Sequence, residues 1–173
     1  MRRRLSVRGG IAAALALLFI PTISGAALGA GKSDIPAVRE ATLKYRDIDA
    51  AFADGYAFFY TCAEEPGQGT MGQHLLNMDL LGDDAVDPLR PEVLVYEPTR
   101  GGGWKLAAVE YVTFAAGQSV LGQGMNTVPV GNRYGVPVQF YAKHAWIWHG
   151  NPNGIFADWN PAVTCLGTGD NGG

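Results

Sequence analysis

Apolar and polar residues alternate most strictly along Val138–His149, VQFYAKHAWIWH. Val138, Phe140, Ala142, His144, Trp146 and Trp148 share one parity, while Gln139, Tyr141, Lys143, Ala145, Ile147 and His149 take the other, wetter one. A period of two over β-branched and aromatic residues predicts a half-buried strand. His144 is then an imidazole on an apolar face. It needs a partner there, because an unpaired polar group in a dry interior costs about 1–3 kcal/mol.

The same pattern recurs upstream. Met71–Met78 places Gly72, His74, Leu76 and Met78 on one face and Gln73 and Asn77 on the other. In Trp104–Phe114 the even positions are Trp104, Leu106, Ala108, Glu110, Val112 and Phe114, so a carboxylate sits on the apolar side. Glu92–Glu97 (EVLVYE) predicts a further strand, joined to the next by Gly101-Gly102-Gly103, with Glu97 exposed at its end. Gly55–Cys62 reads as a short strand or an irregular packed segment, and Pro66, Gly67 and Gly69 mark a turn.

Ahead of these segments, Val38, Ala41, Tyr45, Ile48 and Phe52 recur at steps of three and four. They predict one amphipathic helix, capped by Ser33 or Asp34, with Pro36 in its first turn and Gly55 as its stop. Glu40 and Lys44 form an i,i+4 pair on its wet side. The elements add up to an α+β fold: an N-terminal amphipathic helix packed on a bent antiparallel β-sheet or small barrel. Residues 115–137, with Gly117, Gly122, Gly124, Gly131 and Gly135, form a long irregular loop expected to cover one mouth. Asn151–Pro161 (NPNGIFADWNP) contributes two Asn-Pro turns.

The first thirty residues stand apart. Arg2, Arg3, Arg4 and Arg8 precede an apolar run, Ile11–Ile20, and then small residues at Gly25, Ala26, Ala27, Gly29 and Ala30. This order predicts an export signal over 1–30, cleaved after Ala27 or Gly29, with an apolar run too short to span a bilayer. Arg2-Arg3-Arg4-Leu5-Ser6 also resembles a twin-arginine signal. Residues 31–173 are then one domain with a frayed tail from about 166, exported to the periplasm or the exterior. That portion carries nine basic and sixteen acidic side chains, a net charge of −7, which argues against nucleic acid or an anionic membrane as a partner. No membrane span is expected after cleavage.

Cys62 and Cys165 are the only cysteines. In an oxidising compartment an even count predicts a disulfide. A thiolate metal ligand is the alternative, and the lack of a C-x-x-C spacing speaks against it.

Candidate chemistry follows from one anomaly. Each of three extended segments is apolar on its inward face except at one residue: His74, Glu110 and His144. Two imidazoles and a carboxylate converging in a desolvated interior form a standard ligand set for a divalent transition metal such as zinc, iron, manganese or copper, with positions left for water or substrate. A metal-free hydrogen-bonded cluster and a failure to converge are the competing outcomes. His149 lies on the opposite parity from His144 and joins the same ion only across a bulge near Trp148. Trp146 and Trp148 are expected in the core or as the wall of an apolar pocket beside His144.

Other motifs carry less. The acidic stretch around Asp83, Asp84 and Asp87 lacks the ligand spacing, central glycine and closing glutamate of a calcium loop. Gly122-Gln-Gly124 is followed by no Lys-Ser/Thr pair, and Ser119 and Thr127 lack a nucleophile-elbow context. Tyr96, Tyr111 and Tyr141 read as structural.

The stretches Gly69-Thr-Met-Gly-Gln-His74, Pro91-Glu-Val-Leu-Val-Tyr-Glu97, Val109-Glu-Tyr111, His144-Ala-Trp-Ile-Trp148 and Asn151-Pro-Asn-Gly-Ile-Phe-Ala-Asp-Trp-Asn-Pro161 resemble a family of uncharacterised exported bacterial proteins. The resemblance implies one domain from the helix to Cys165 and implies nothing about its chemistry. Three functional readings remain open. The trio binds a metal beside an aromatic pocket, as in a metal-dependent enzyme of unknown reaction. Or the pocket is metal-free and takes a small apolar ligand. Or the domain is a structural or interaction module.

Overall fold

The computed structural model describes residues 34–83 and 85–166. The stretch 1–30 expected to be an export signal, Ser33, Asp84 and the tail beyond Leu166 therefore lie outside the described residues. The elements run α1 (Ile35–Thr42), a 3-10 turn (Leu43–Arg46), α2 (Ile48–Ala53), β1 (Tyr56–Glu65), β2 (Gly69–Asn77), α3 (Met78–Leu81), β3 (Val93–Pro98), β4 (Trp104–Thr113), β5 (Ser119–Val120), β6 (Gln123–Gly124), β7 (Asn126–Val128) and β8 (Phe140–Ala145). Six strands form a curled antiparallel half-barrel in the order β1-β2-β3-β4-β8-β7, and β5 pairs only with β6. The fold is α+β. None of the described helices is long and apolar enough to cross a membrane.

The single helix expected from the apolar stripe is broken into three short pieces. Asp47 adopts an extended backbone and caps α2 by accepting the Asp49 N–H. The break turns Tyr45 inward, where its ring meets Tyr56 edge-on and its carbonyl accepts the Tyr96 hydroxyl at 2.6 Å. Tertiary packing wins over helical continuity here, as isolated helices this short have little intrinsic stability. Asp34 caps α1 without a side-chain bond, and Phe52 stays exposed. Lys44 pairs with Asp54 rather than with Glu40, and Gly55 at φ +89° ends α2 as expected of a left-handed stop.

Both faces of the sheet are buried. The helices cover one, against Leu75, Leu94, Tyr96, Val109, Tyr111 and Ala145. The other carries Leu76, Val93, Val95, Ala108 and Trp146, and is closed by the loop after β4 and by the tail. The face of β8 expected to be wetter is consequently dry at Lys143, Ala145 and Ile147.

Two irregularities interrupt the pleat around Ala107. Between Val95/Ala108 and Tyr96/Leu106 the β3–β4 register slips at Ala107, which moves Trp104 and Leu106 to the helix side, away from Glu110. Opposite it, β8 ends at Ala145, and the N–H groups of Trp148 and His149 both donate to the Ala107 carbonyl, at 3.0 and 2.9 Å. Two donors on one carbonyl is the signature of a β-bulge.

The Cys62–Cys165 disulfide ties the tail to β1 across a separation of 103 residues. By the chain-entropy estimate a loop of that length is worth about 4 kcal/mol. The double variant Cys62→Ala/Cys165→Ala is expected to lose about 2–4 kcal/mol in urea unfolding. Glu92 supplies a second expectation. It is buried just before β3 and accepts the Val112 N–H at 3.0 Å. Burial pushes its carboxyl from 4.5 up to about 7, with Asp83 and Asp87 adding to the effect. Between those values the unfolded chain is ionised and the folded chain is not, so stability falls as pH rises through that window and levels off above it. Unfolding of chelator-treated protein at pH 5 and pH 8 should differ by up to about 3 kcal/mol more in wild type than in Glu92→Gln.

Candidate metal centre

Cross-strand register brings two of the three groups together directly. Glu110 and His144 are opposite one another on β4 and β8, and Glu110 faces Val93 on β3. His74 lies on β2 opposite Val95, one row along the strands and on the same concave face. The curl of the sheet closes the remaining gap. Its local cause is a large bulge in β1: Phe59 pairs with His74 and Ala63 with Gly72, so three residues of β1 face one of β2. Tyr60 within it adopts φ +60°, a costly conformation for a bulky residue, and its carbonyl accepts the Gln73 side chain at 2.6 Å. Gly72, two residues before His74, has φ +85°, and a Cβ there would meet Val95 Cγ1 at 2.8 Å and Tyr96 O at 2.9 Å.

His74 Nε2 is 3.4 Å from His144 Nε2 and 3.4 Å from Glu110 Oε2, and His144 Nδ1 is 3.4 Å from Glu110 Oε1. One ligand atom from each residue can be chosen so that all lie within 4.8 Å of one another. All three residues are buried. Behind them, Trp146 stacks on His144 with a ring separation of 5.9 Å and an interplanar angle of 13°. Its own Nε1–H donates to the Ala157 carbonyl at 2.6 Å, which fixes both ring and tail. Nδ1 of His74 is buried without a hydrogen bond. The Gly72 backbone is near enough to favour the protonated ring but lies outside bonding geometry.

Burial dominates the electrostatics. It pushes the Glu110 carboxyl from 4.5 up to about 8, with Asp158 and Glu92 adding to the effect, and pulls His74 from 6.5 down to about 4. His144 is held well below its ordinary value by burial, then by His74 and Lys143. Left to themselves at neutral pH the three groups are uncharged. An ion reverses that preference for the carboxylate, since a divalent charge outweighs the desolvation that protonates it. The residues His74, Glu110 and His144 can therefore hold a metal ion.

The trio opens on a cavity of about 130 Å³. Its walls include Phe59, Leu76, Val93, Val112 and Phe140, together with Asn126, Tyr134 and Asp158 from the loops. The two tryptophans, expected in the core or as the wall, are not among the lining residues, and Trp146 is in the core. Trp146 packs beside His144 but is not part of the lining, and Trp148 crosses to the helix side, where it donates to Thr42 Oγ1 at 3.1 Å and lies under Arg39. The bulge at Ala107 accounts for that crossing. His149 is drawn to Glu97 at 2.9 Å rather than to the trio, and Glu97, expected to be exposed, is buried and also holds Lys105 at 2.8 Å.

Four polar lining residues lie outside the three segments of the parity argument, Asn126 and Thr127 on the short β7 and Tyr134 and Asp158 on loops. Tyr134 stands between Gly131 and Gly135, both at positive φ, and its ring meets His74 edge-on at 6.4 Å. Asp158 accepts the Asn126 side chain at 2.9 and 3.1 Å, and Asn126 in turn accepts from buried Lys143 at 2.8 Å. The available signal was compositional: a tyrosine framed by glycines, and an aspartate inside an Asn-Pro turn.

Gly72→Ala tests how His74 is aimed. Strain at positive φ and contact with β3 are expected to cost about 2 kcal/mol or more in urea unfolding and to shift the His74 ring resonances.

Comparison of the chain with protein-family models, with curated proteins and with solved structures yields no match.

Proposed function

We propose that the protein binds a divalent transition metal through His74, Glu110 and His144, with the open coordination side turned toward the adjoining cavity. The observation that carries this reading is the convergence of three buried residues from three strands, each with a ligand atom within 4.8 Å of the others. Hydrogen bonds between such groups run about 2.7–3.2 Å, so three separations of 3.4 Å are poor hydrogen bonds. Two of them, from His74 Nε2 to His144 Nε2 and to Glu110 Oε2, meet at one atom and have the length of a coordination polyhedron's edges, since ligand atoms about 2.0–2.2 Å from a tetrahedral centre stand roughly 3.3–3.6 Å apart.

Two imidazoles and one carboxylate suit zinc, iron, manganese or copper, and a bound ion would supply Lewis acidity or an activated water. The side chains do the rest. Trp146 holds the plane of His144, and the apolar walls exclude bulk water from the open side. An enzymatic role for the site is part of the same proposal, with a small molecule as its substrate.

Equilibration with zinc followed by desalting and elemental analysis should give close to one ion per chain, falling to background in His74→Ala and in His144→Ala. Zinc at a hundredfold excess over its Kd should stabilise the wild type by about 2.7 kcal/mol. His74→Leu separates the readings. If the trio serves only as a hydrogen-bonded cluster, the variant loses stability. If it is a metal site, the metal-free variant is as stable as wild type or gains about 1 kcal/mol, because an unsatisfied buried nitrogen is removed, while the response to zinc disappears.

A further inference from the structure

The lining of the cavity narrows what meets the open side of the centre. Its volume, about 130 Å³, is close to that of an engineered apolar cavity of about 150 Å³ that admits benzene. Among the described residues no lysine or arginine lines it, whereas two carboxyl groups, Glu110 and Asp158, do. A carboxylate or phosphate entering this space would give up its hydration and find no cation other than the ion itself, at a cost of several kcal/mol. The sheet contributes Leu76, Val93 and Val112, which offer dispersion contacts and no hydrogen bonds.

Polar capacity outside the trio is confined to Asn126, Thr127, Tyr134 and Asp158, and Asn126 and Asp158 are bonded to each other. The Asn126 amide is committed to Asp158 and Lys143. The Tyr134 hydroxyl is different. It donates to Met71 Sδ at 2.9 Å, and a thioether sulfur is a weak acceptor, so an oxygen brought into the cavity competes well for that proton. Tyr134 sits edge-on to His74 with ring centroids 6.4 Å apart, which places its ring beside the trio.

Resting on the metal reading above, we infer that the site takes a small neutral molecule with a compact apolar body, about the size of one benzene ring, and a single oxygen head. The oxygen occupies the open coordination side within reach of the Tyr134 hydroxyl, and the body lies against Val93, Val112 and Phe140. Neutral monocyclic phenols, alcohols and ketones belong to this class. Sugars do not, because their many hydroxyls would go unpaired, and anions do not, because of Glu110 and Asp158.

Cobalt(II) serves as a visible stand-in for the native ion, with phenol as the probe and benzoate as its charged counterpart of similar size. Wild-type protein loaded with cobalt should show ligand-field bands that phenol shifts in a saturable manner, with benzoate at least about tenfold weaker. Val112→Phe from the sheet and Val136→Trp from the loop each reduce the cavity from a different side. In whichever of them retains the cobalt bands, phenol binding should weaken by about tenfold or more. Cobalt bands that phenol leaves unchanged, benzoate binding as tightly as phenol, or filled variants that respond like wild type would overturn the inference and leave the metal site standing. Failure of wild-type protein to develop cobalt bands would remove the metal site, and the inference with it.

Discussion

Three ionisable side chains held out of water on the concave face of one sheet impose the constraint that the rest of the structure answers to. Glu110 and His144 need only the β4–β8 register to meet. His74 needs more. Between β2 and β8 lie β3 and β4, so in a flat sheet the two histidine strands would stand roughly 14 Å apart. Their Nε2 atoms are 3.4 Å apart. Only a strongly curled sheet closes such a gap, and the curl is built where backbone is spent to produce it: the β1 bulge around Tyr60, Gly72 at positive φ, and the slip at Ala107. Bulges increase local twist and bend the strand that carries them. Both faces of the resulting half-barrel are then covered, by the helices on one side and by loop and tail on the other. The disulfide anchors that tail to β1, the same strand whose bulge shapes the site.

The electrostatic consequence is a cluster that is uncharged by itself and charged only in company. Burial raises Glu110 and lowers both histidines, so each group alone prefers its neutral form. Neutral groups at 3.4 Å gain little from one another, and His74 Nδ1 gains nothing. A purely structural cluster would be better served by shorter contacts or by apolar replacements of equal volume. The arrangement is unfavourable for the fold by itself, and coordination of an ion, as proposed above, would offset it.

How much of this was legible in the sequence depends on where the pleat is continuous. Through His74–Leu76, Ala108–Val112 and Ala142–His144 the period of two is unbroken, and side-chain parity there identifies the inward face correctly. It fails at Trp104, Leu106 and Trp148, because a slip at Ala107 and the bulge opposite it each shift parity by one, and nothing in an alanine announces a bulge. The helix failed for a different reason. Its stripe is real, with Val38 and Tyr45 both buried, but Asp47 as a cap and the pull of Tyr45 into the core divide it. The face of β8 read as wet is dry because the helices dock on it, and docking is not encoded in the strand itself. Glu97 and His149 are similarly resolved by a contact 52 residues apart.

Sheet and loop divide the work of the site. The sheet fixes His74, Glu110 and His144, and the segment between β4 and β8 supplies Asn126, Tyr134 and Val136 to the space in front of them. Tyr134 is carried on a short span whose glycines at 131 and 135 permit a sharp turn, and its neighbour Arg133 secures that span to Glu65 at 2.7 Å and lies over Trp159. The same bulge that aims His74 also presents Tyr60, whose ring packs edge-on against Tyr134 at 5.1 Å. Loop position and ligand position are therefore coupled through one strand rather than set independently. A change in the span from 131 to 135 alters what the cavity accepts while leaving the three ligand residues in place, whereas a change in the β1 bulge disturbs both. That asymmetry follows from the geometry: the ligands are held by main-chain pairing, and the cavity wall by a few side-chain contacts to the edge of the sheet.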